Sequence, residues 1–155
     1  MKRLLLRAMS ALVPGVGKAW ANPHKLAAAA ADRGDHAAAL KIIRPLALRG
    51  DPAAQFSLGM MYGQGRGIAQ NASEAIKWLR LAAAQGFAEA QSSLGWMYFR
   101  GQGVTQDNEE ALKHWRLAAT QGFAEAQALL GEEYYLGRHR AQDFPQALKW
   151  FQPPP

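Results

Sequence analysis

The groups in this chain that could carry acid-base chemistry are four histidines and two adjacent pairs of glutamates. A hydrolase could use His139 together with Glu132, which lies a short distance before it in the sequence. However, no HExxH or comparable ligand spacing is present, and the absence of cysteine excludes a thiolate zinc site and a cysteine nucleophile. We therefore expect no metal and no other cofactor, and a hydrolase ranks third among three functional hypotheses.

The glutamate pairs do not form a shared reaction centre if they lie on helices. Adjacent helical residues point about 100° apart, so Glu109 and Glu110 cannot both face one reacting atom, and neither can Glu132 and Glu133. The serines in the same helical stretches lack the strand-to-helix elbow that exposes a serine nucleophile. The chain is therefore predicted not to be an enzyme.

These residues belong to an internal repeat with a period of 36 residues. The stretch 87–122 repeats the stretch 51–86, and the same register continues through residues 123–151. A unit of this length cannot bury its own hydrophobic face, so a fixed period indicates stacked units. We predict an all-α fold, an α/α superhelical solenoid of antiparallel helix pairs with about three and a half repeats.

The register also divides the chain into segments. We expect an export signal, a degenerate N-terminal capping repeat, two full repeats, and a truncated third repeat with a proline-rich tail. Because the second helix of that last repeat is cut short, we expect the apolar face of its neighbour to be left partly uncovered. Their bounds are 1–21, 22–50, 51–86, 87–122 and 123–155.

The first helix of each repeat carries five recurring positions that fall within one arc of a helical wheel, which predicts a buried face. The recurring glycine suggests that a neighbouring helix backbone approaches too closely for a side chain. The recurring tyrosine needs a partner for its hydroxyl, and the recurring glutamine is the candidate. The positions are Ala54, Gln55, Leu58, Gly59 and Tyr62; Ala90, Gln91, Leu94, Gly95 and Tyr98; and Ala126, Gln127, Leu130, Gly131 and Tyr134.

The N-terminal segment has the features of an export signal. A basic start precedes an apolar stretch, and Ala19-Trp20-Ala21 matches the small-x-small pattern of signal peptidase sites. We therefore expect an exported, periplasmic protein. The alternative is a cytoplasmic protein whose N-terminal amphipathic helix docks on the first repeat.

The net charge of +6 is concentrated at the N-terminus, because four basic residues lie within 1–21 and the remainder carries 14 basic and 12 acidic side chains. The second helices nevertheless carry basic residues at equivalent positions of successive repeats. We call such a set of equivalent positions a column. As a convex ridge they could contact a polyanion or an acidic surface, which is the second hypothesis; otherwise they are solvated and meet Glu74, Glu110 and neighbouring acids. Aromatic residues are not interleaved for base stacking, which argues against nucleic acid. The columns are Lys41, Lys77, Lys113 and Lys149, and Arg44, Arg80 and Arg116.

The pattern A-x-x-x-L-G-x-M-Y-x-x-G-x-G, followed by A-x-K-W-x-x-x-A-A-x-x-G, resembles the Sel-1-like repeat, a relative of the tetratricopeptide repeat. The resemblance covers residues 50–151 and implies an α/α superhelix that acts as a noncatalytic adaptor for other proteins, often in bacterial exported or signalling settings. Two departures stand out. The second unit has His114-Trp115 where the others have tryptophan followed by an apolar residue, and the last unit stops before its A-A-x-x-G end. The tryptophan column favours a packed or partly exposed imidazole at His114.

Binding specificity is expected where columns vary within this fixed frame. The first helices differ at Met60, Trp96 and Glu132 and at the flanking positions, which include Ser92. Tryptophan and arginine are enriched at binding hot spots. The leading hypothesis is a protein-protein adaptor that binds a peptide or helix in a concave groove. The candidate protein-binding residues are Phe56, Met60, Trp96, Arg100, Glu132 and Tyr135.

Overall fold

The computed structural model describes residues 22–151, which form eight α-helices and no strand. Each helix contacts the next one along the chain, within pairs and between pairs. The predicted all-α helical repeat solenoid is thereby confirmed, while the proposed export signal at 1–21 lies outside the described residues. The helices are α1 (Pro23–Asp32), α2 (His36–Leu48), α3 (Pro52–Gln64), α4 (Ala72–Ala84), α5 (Ala88–Arg100), α6 (Asn108–Thr120), α7 (Ala124–Leu136) and α8 (Phe144–Phe151).

Capping residues set the helix boundaries. Asn71 and Asp107 each accept a hydrogen bond from the backbone N–H three residues later, at Glu74 and Glu110, and so satisfy an orphan donor at the starts of α4 and α6. At the other end, glycine takes up the left-handed conformation that ends a first helix, for example at Gly101, where φ is 64°. The turns between paired helices therefore follow from local sequence.

The core lies at the junctions between repeats. On α4, Ile76 and Leu79 pack against Ala90 and Leu94 of α5. The equivalent junction of α6 and α7 is centred on Trp115, which is only 1% exposed. Because each junction joins the second helix of one repeat to the first helix of the next, repeats stabilise each other.

The recurring helical glycines face side chains, which corrects the expectation that they face a neighbouring backbone. A Cβ atom added to Gly95 would overlap the indole of Trp115, and one added to Gly131 would overlap the ring of Phe151. A Cβ atom at Gly59 would lie 2.9 Å from Cγ of Leu79, and there a backbone atom is also close. Each glycine thus forms a notch for one large side chain of its own repeat.

Two of the three recurring tyrosines bond to arginine, so the predicted glutamine partner is wrong for both. Arg80 donates to the Tyr98 hydroxyl at 2.8 Å, and Arg116 donates to that of Tyr134 at 3.3 Å. These bonds run from the second helix of one repeat to the first helix of the next. An arginine column that resembled a ligand surface in the sequence therefore serves in part to join repeats.

The recurring glutamines instead form buried connections to backbone carbonyls and to each other. Gln91 donates to the carbonyl oxygen of Ala83 at 3.2 Å and accepts from Gln121 at 2.8 Å. Gln55 has the same arrangement, donating to Ala47 and accepting from Gln85. Each of these glutamines therefore bonds near the C-terminal ends of two second helices, one from each of the repeats that meet at the junction.

The last described helix presents an apolar face. Leu148 is 60% exposed and Phe151 is 51% exposed, whereas Leu112 and Trp115, at the same positions one repeat earlier, are almost fully buried. In the second repeat α7 covers those positions. This exposed apolar face lies on α8 itself, whereas the sequence predicted one on its neighbour.

Candidate functional site

Two adjacent clefts line one side of the helix pairs. Cleft 1, of about 440 Å³, lies between α1, α2 and α3. Cleft 2, of about 630 Å³, lies between α3, the start of α4 and α5. Met60 and Gln64 line both clefts, so α3 is their shared wall. We call the two clefts together the groove.

Four of the six candidate binding residues line this groove. Phe56 lies in cleft 1, Met60 lies between the clefts, and Trp96 and Arg100 lie in cleft 2. Phe56 also contacts Phe87 of the next repeat, with ring centroids 5.4 Å apart. The positions chosen because they vary between repeats thus come together on one surface.

The other two candidates, both on α7, lie outside the two clefts. Glu132 forms an ion pair with Arg138. Tyr135 is 52% exposed and packs edge-on against Phe144, with centroids 5.7 Å apart. Both residues lie on the first helix of their repeat, as Met60 does, but they do not share a cleft with Met60.

Trp96 is held more firmly than its place on the helical wheel suggests. Its ring packs edge-on against Trp115 at 5.3 Å and Phe99 at 5.8 Å, and its Nε1 donates to Glu125 at 3.0 Å. The guanidinium of Arg100 lies 4.7 Å from its centroid, a cation-π contact. Trp96 is therefore half-buried, and its substitution would disturb the core as well as the groove.

Several groove residues were missed in the sequence. Arg66 lines cleft 1, but between two glycines it was interpreted only as part of a turn. Met61 and Met97 also line the clefts, one in each. Ser92, expected beside the variable columns, is buried at 2% exposure because α6 packs over it and Trp115 donates to its carbonyl. The signal that could have found Arg66 is that an arginine returns at the same turn position in the third repeat, as Arg138.

His114 and His139 each contact a side chain of the helical frame. His114 stacks on Tyr98, with centroids 5.5 Å apart and planes 13° apart, and burial lowers the pKa of its imidazole. This agrees with the packed imidazole expected there. His139 pairs with Glu133 at 3.0 Å and not with Glu132, so the carboxylate chosen for the hydrolase hypothesis is wrong.

The lysines of the basic columns are partly neutralised by their own helices. Lys77 pairs with Glu74 at 3.3 Å, and Lys113 pairs with Glu110 at 3.1 Å. These are the solvated pairs that the alternative interpretation of the columns requires. Within residues 22–151, no group of three or more His, Cys, Asp or Glu side chains could hold a metal ion, and no helix is long and apolar enough to cross a bilayer.

Comparison with known families identifies the repeat. A family model described as Sel1 repeat matches residues 52–87, 88–123 and 124–153. The chain belongs to the Sel1 repeat family. The resemblance seen in the motif is confirmed, and Sel1 repeat proteins are generally noncatalytic protein-interaction scaffolds.

Two solved structures of Sel1 repeat proteins have the same fold. A Sel1 repeat protein from Oxalobacter formigenes is 31% identical, with a TM-score of 0.76, over 83% of this chain and 51% of that one. The protein c5321, a protective antigen of uropathogenic Escherichia coli strains with an SLR fold, is 32% identical, with a TM-score of 0.76, over 96% of this chain and 31% of that one. The chain therefore spans about half of the first relative and about a third of the second. Comparison with curated proteins gives no match.

Proposed function

We propose that this Sel1 repeat chain is a noncatalytic adaptor that binds a peptide or helix of another protein in the groove. The observation that carries the proposal is the continuity of the two clefts along α3, with Met60 exposed to both. An apolar groove between helices suits an amphipathic helix or an extended segment that inserts apolar anchors. In this proposal the capping repeat at 22–50 supplies a wall, because α1 and α2 line cleft 1.

The variation between repeats supports the same surface. The column that contains Met60 carries Trp96 and Glu132 in the next two repeats, while the buried arc beside it stays constant. A fixed frame with variable groove positions can change specificity without changing the fold. A groove of this size buries a modest area, so affinities of about 1 μM are expected.

A photo-crosslinker tests where the partner lies. Benzoylphenylalanine incorporated at Met60 should crosslink a defined protein in the native cell, identified by mass spectrometry. The matched control places the same group at Lys113, which is exposed on α6 and paired with Glu110. Crosslinking from Lys113 but not from Met60 would move the binding surface to the basic columns and favour the polyanion or acidic-surface alternative.

A substitution tests whether the contact contributes to affinity. We expect the helix to accommodate Met60→Glu, because Glu132 occupies the equivalent position on α7. We expect it to weaken binding of the crosslinked partner by about 2 kcal/mol, as at a hot spot, while the free energy of unfolding changes by about 1 kcal/mol or less. Unchanged affinity in calorimetry would place the partner elsewhere.

We also propose that residues 1–21 direct export to the periplasm. The support is the basic start, the apolar stretch and the small-x-small site in the sequence.

A further inference from the structure

We propose that the segment bound in the groove is acidic, with an apolar residue against Met60 and carboxylates beside Arg66 and Arg100. This inference rests on the proposed function and names the class of partner. It comes from three independent observations: the charge of the groove lining, an ion pair in the third repeat, and the position of Arg100.

The lining of the groove is cationic and apolar. Among the described residues that line the two clefts there is no aspartate or glutamate, whereas Arg66 and Arg100 are present. Neither arginine has a carboxylate within ion-pair distance in residues 22–151. A partner with carboxylates would complement this surface, and a basic partner would be repelled.

The third repeat shows how an arginine at the position of Arg66 binds a carboxylate. Arg138, one residue after the helix-ending glycine Gly137, pairs with Glu132, six residues before it. In the first repeat the same spacing joins Arg66 to Met60, which offers no carboxylate. In this proposal a bound partner supplies to Arg66 the carboxylate that the third repeat supplies to Arg138 from its own helix.

Arg100 is not required by its helix. The equivalent residues of α3 and α7 are Gln64 and Leu136, and these two first helices have no basic residue in their last turn. Stacking on Trp96 holds the guanidinium over cleft 2 while its edge stays free for hydrogen bonds. An arginine oriented in this way is suited to bidentate binding of a carboxylate.

The test selects ligands from a displayed library of random 12-residue peptides. The full chain, the double variant Arg66→Glu/Arg100→Glu, and the control Lys41→Glu on α2 are each used as bait, at about 0.1 M salt. Wild type and Lys41→Glu should enrich peptides in which Asp or Glu flank an apolar residue. The double variant should reverse the preference toward Lys or Arg. Fluorescence titration of the best acidic peptide should show affinity for the double variant reduced about tenfold or more, an effect that shrinks at 1 M salt.

The outcomes separate the two proposals. Enriched peptides without acidic bias, bound equally by the double variant and weakened by Met60→Glu, overturn the acidic partner but retain the groove. Peptides that bind Met60→Glu as tightly as wild type overturn the groove itself, and with it the acidic partner. Circular dichroism and the urea midpoint of each variant show that the compared proteins are folded.

Discussion

The indole of Trp115 occupies the space where a side chain at Gly95 would lie, and its Nε1 donates to the carbonyl oxygen of Ser92 at 3.2 Å. This contact joins α5 and α6 within the second repeat. The same notch is filled by Leu79 in the first repeat and by Phe151 in the third. The notch therefore tolerates different shapes, but it requires glycine on the facing helix.

Gly95→Val should destabilise the protein by about 2 kcal/mol or more, because the added atoms overlap Trp115 and force the two helices apart. The matched control is Gly63→Ala on α3, where the nearest atom to an added Cβ is the Cβ of Ala75 at an ordinary 3.7 Å. That change should be neutral or stabilise by up to about 1 kcal/mol. Urea denaturation measures both, and a wild-type midpoint for Gly95→Val would contradict the notch.

Tyr98→Phe should cost about 0.5–1 kcal/mol, because it removes the hydrogen bond from Arg80 at an exposed position. The control is Tyr62→Phe, since no hydrogen bond from Arg44 reaches the Tyr62 hydroxyl among residues 22–151. A double-mutant cycle of Tyr98→Phe with Arg80→Met should give a coupling energy close to the single effect. Zero coupling would show that the bond does not stabilise the junction.

The stability of the protein should fall as pH is lowered below about 6.5, in part through His114. Burial lowers the pKa of its folded imidazole below 6.5, so the unfolded chain binds the proton first and stability is lost on acidification. His114→Trp, which restores the residue found in the other two repeats, should flatten this dependence between about pH 5 and 7. Urea midpoints at several pH values compare the two proteins. An equally steep pH dependence in the variant would assign the effect to other groups.

Mature protein from the native host should begin at Asn22 if residues 1–21 are an export signal. Intact-mass spectrometry of the periplasmic fraction gives the N-terminus directly. A chain of full mass confined to the cytosol would favour the alternative of an N-terminal helix docked on the first repeat. Ala19→Lys, which blocks a small-x-small site, should retain the full mass if cleavage occurs there.

The period of the sequence was sufficient to predict the helices, the buried columns and the glycine-ended turns. Burial repeats with the same spacing as the residues, so Ala90, Leu94 and Gly95 could be assigned to one face. The residue that contacts that face from the next helix could not be predicted, because a helical wheel gives direction but not the partner. The tyrosine hydroxyls were therefore assigned to glutamine although arginine donates to them.

The site was predicted in part for a related reason. Phe56, Met60, Trp96 and Arg100 were found because variable columns face the groove. The half-buried state of Trp96 was missed, since a ring of its size reaches Trp115 and Phe99 from a position on the far side of the wheel. Arg66 was missed because it lies in a turn, where a helical wheel gives no direction for a side chain.

Each glycine notch is filled by a residue of its own repeat, and this has a consequence for how such chains can change in length. A 36-residue segment cut at the repeat boundaries, such as 87–122, carries both Gly95 and Trp115, so duplication or loss of that segment keeps the notch together with its matching side chain. Only the contacts across the cut, such as Arg80 with Tyr98, must be re-formed, and Arg116 with Tyr134 repeats them at the next junction. Unequal recombination at repeat boundaries can therefore lengthen or shorten the groove in whole units while each glycine notch keeps its own side chain.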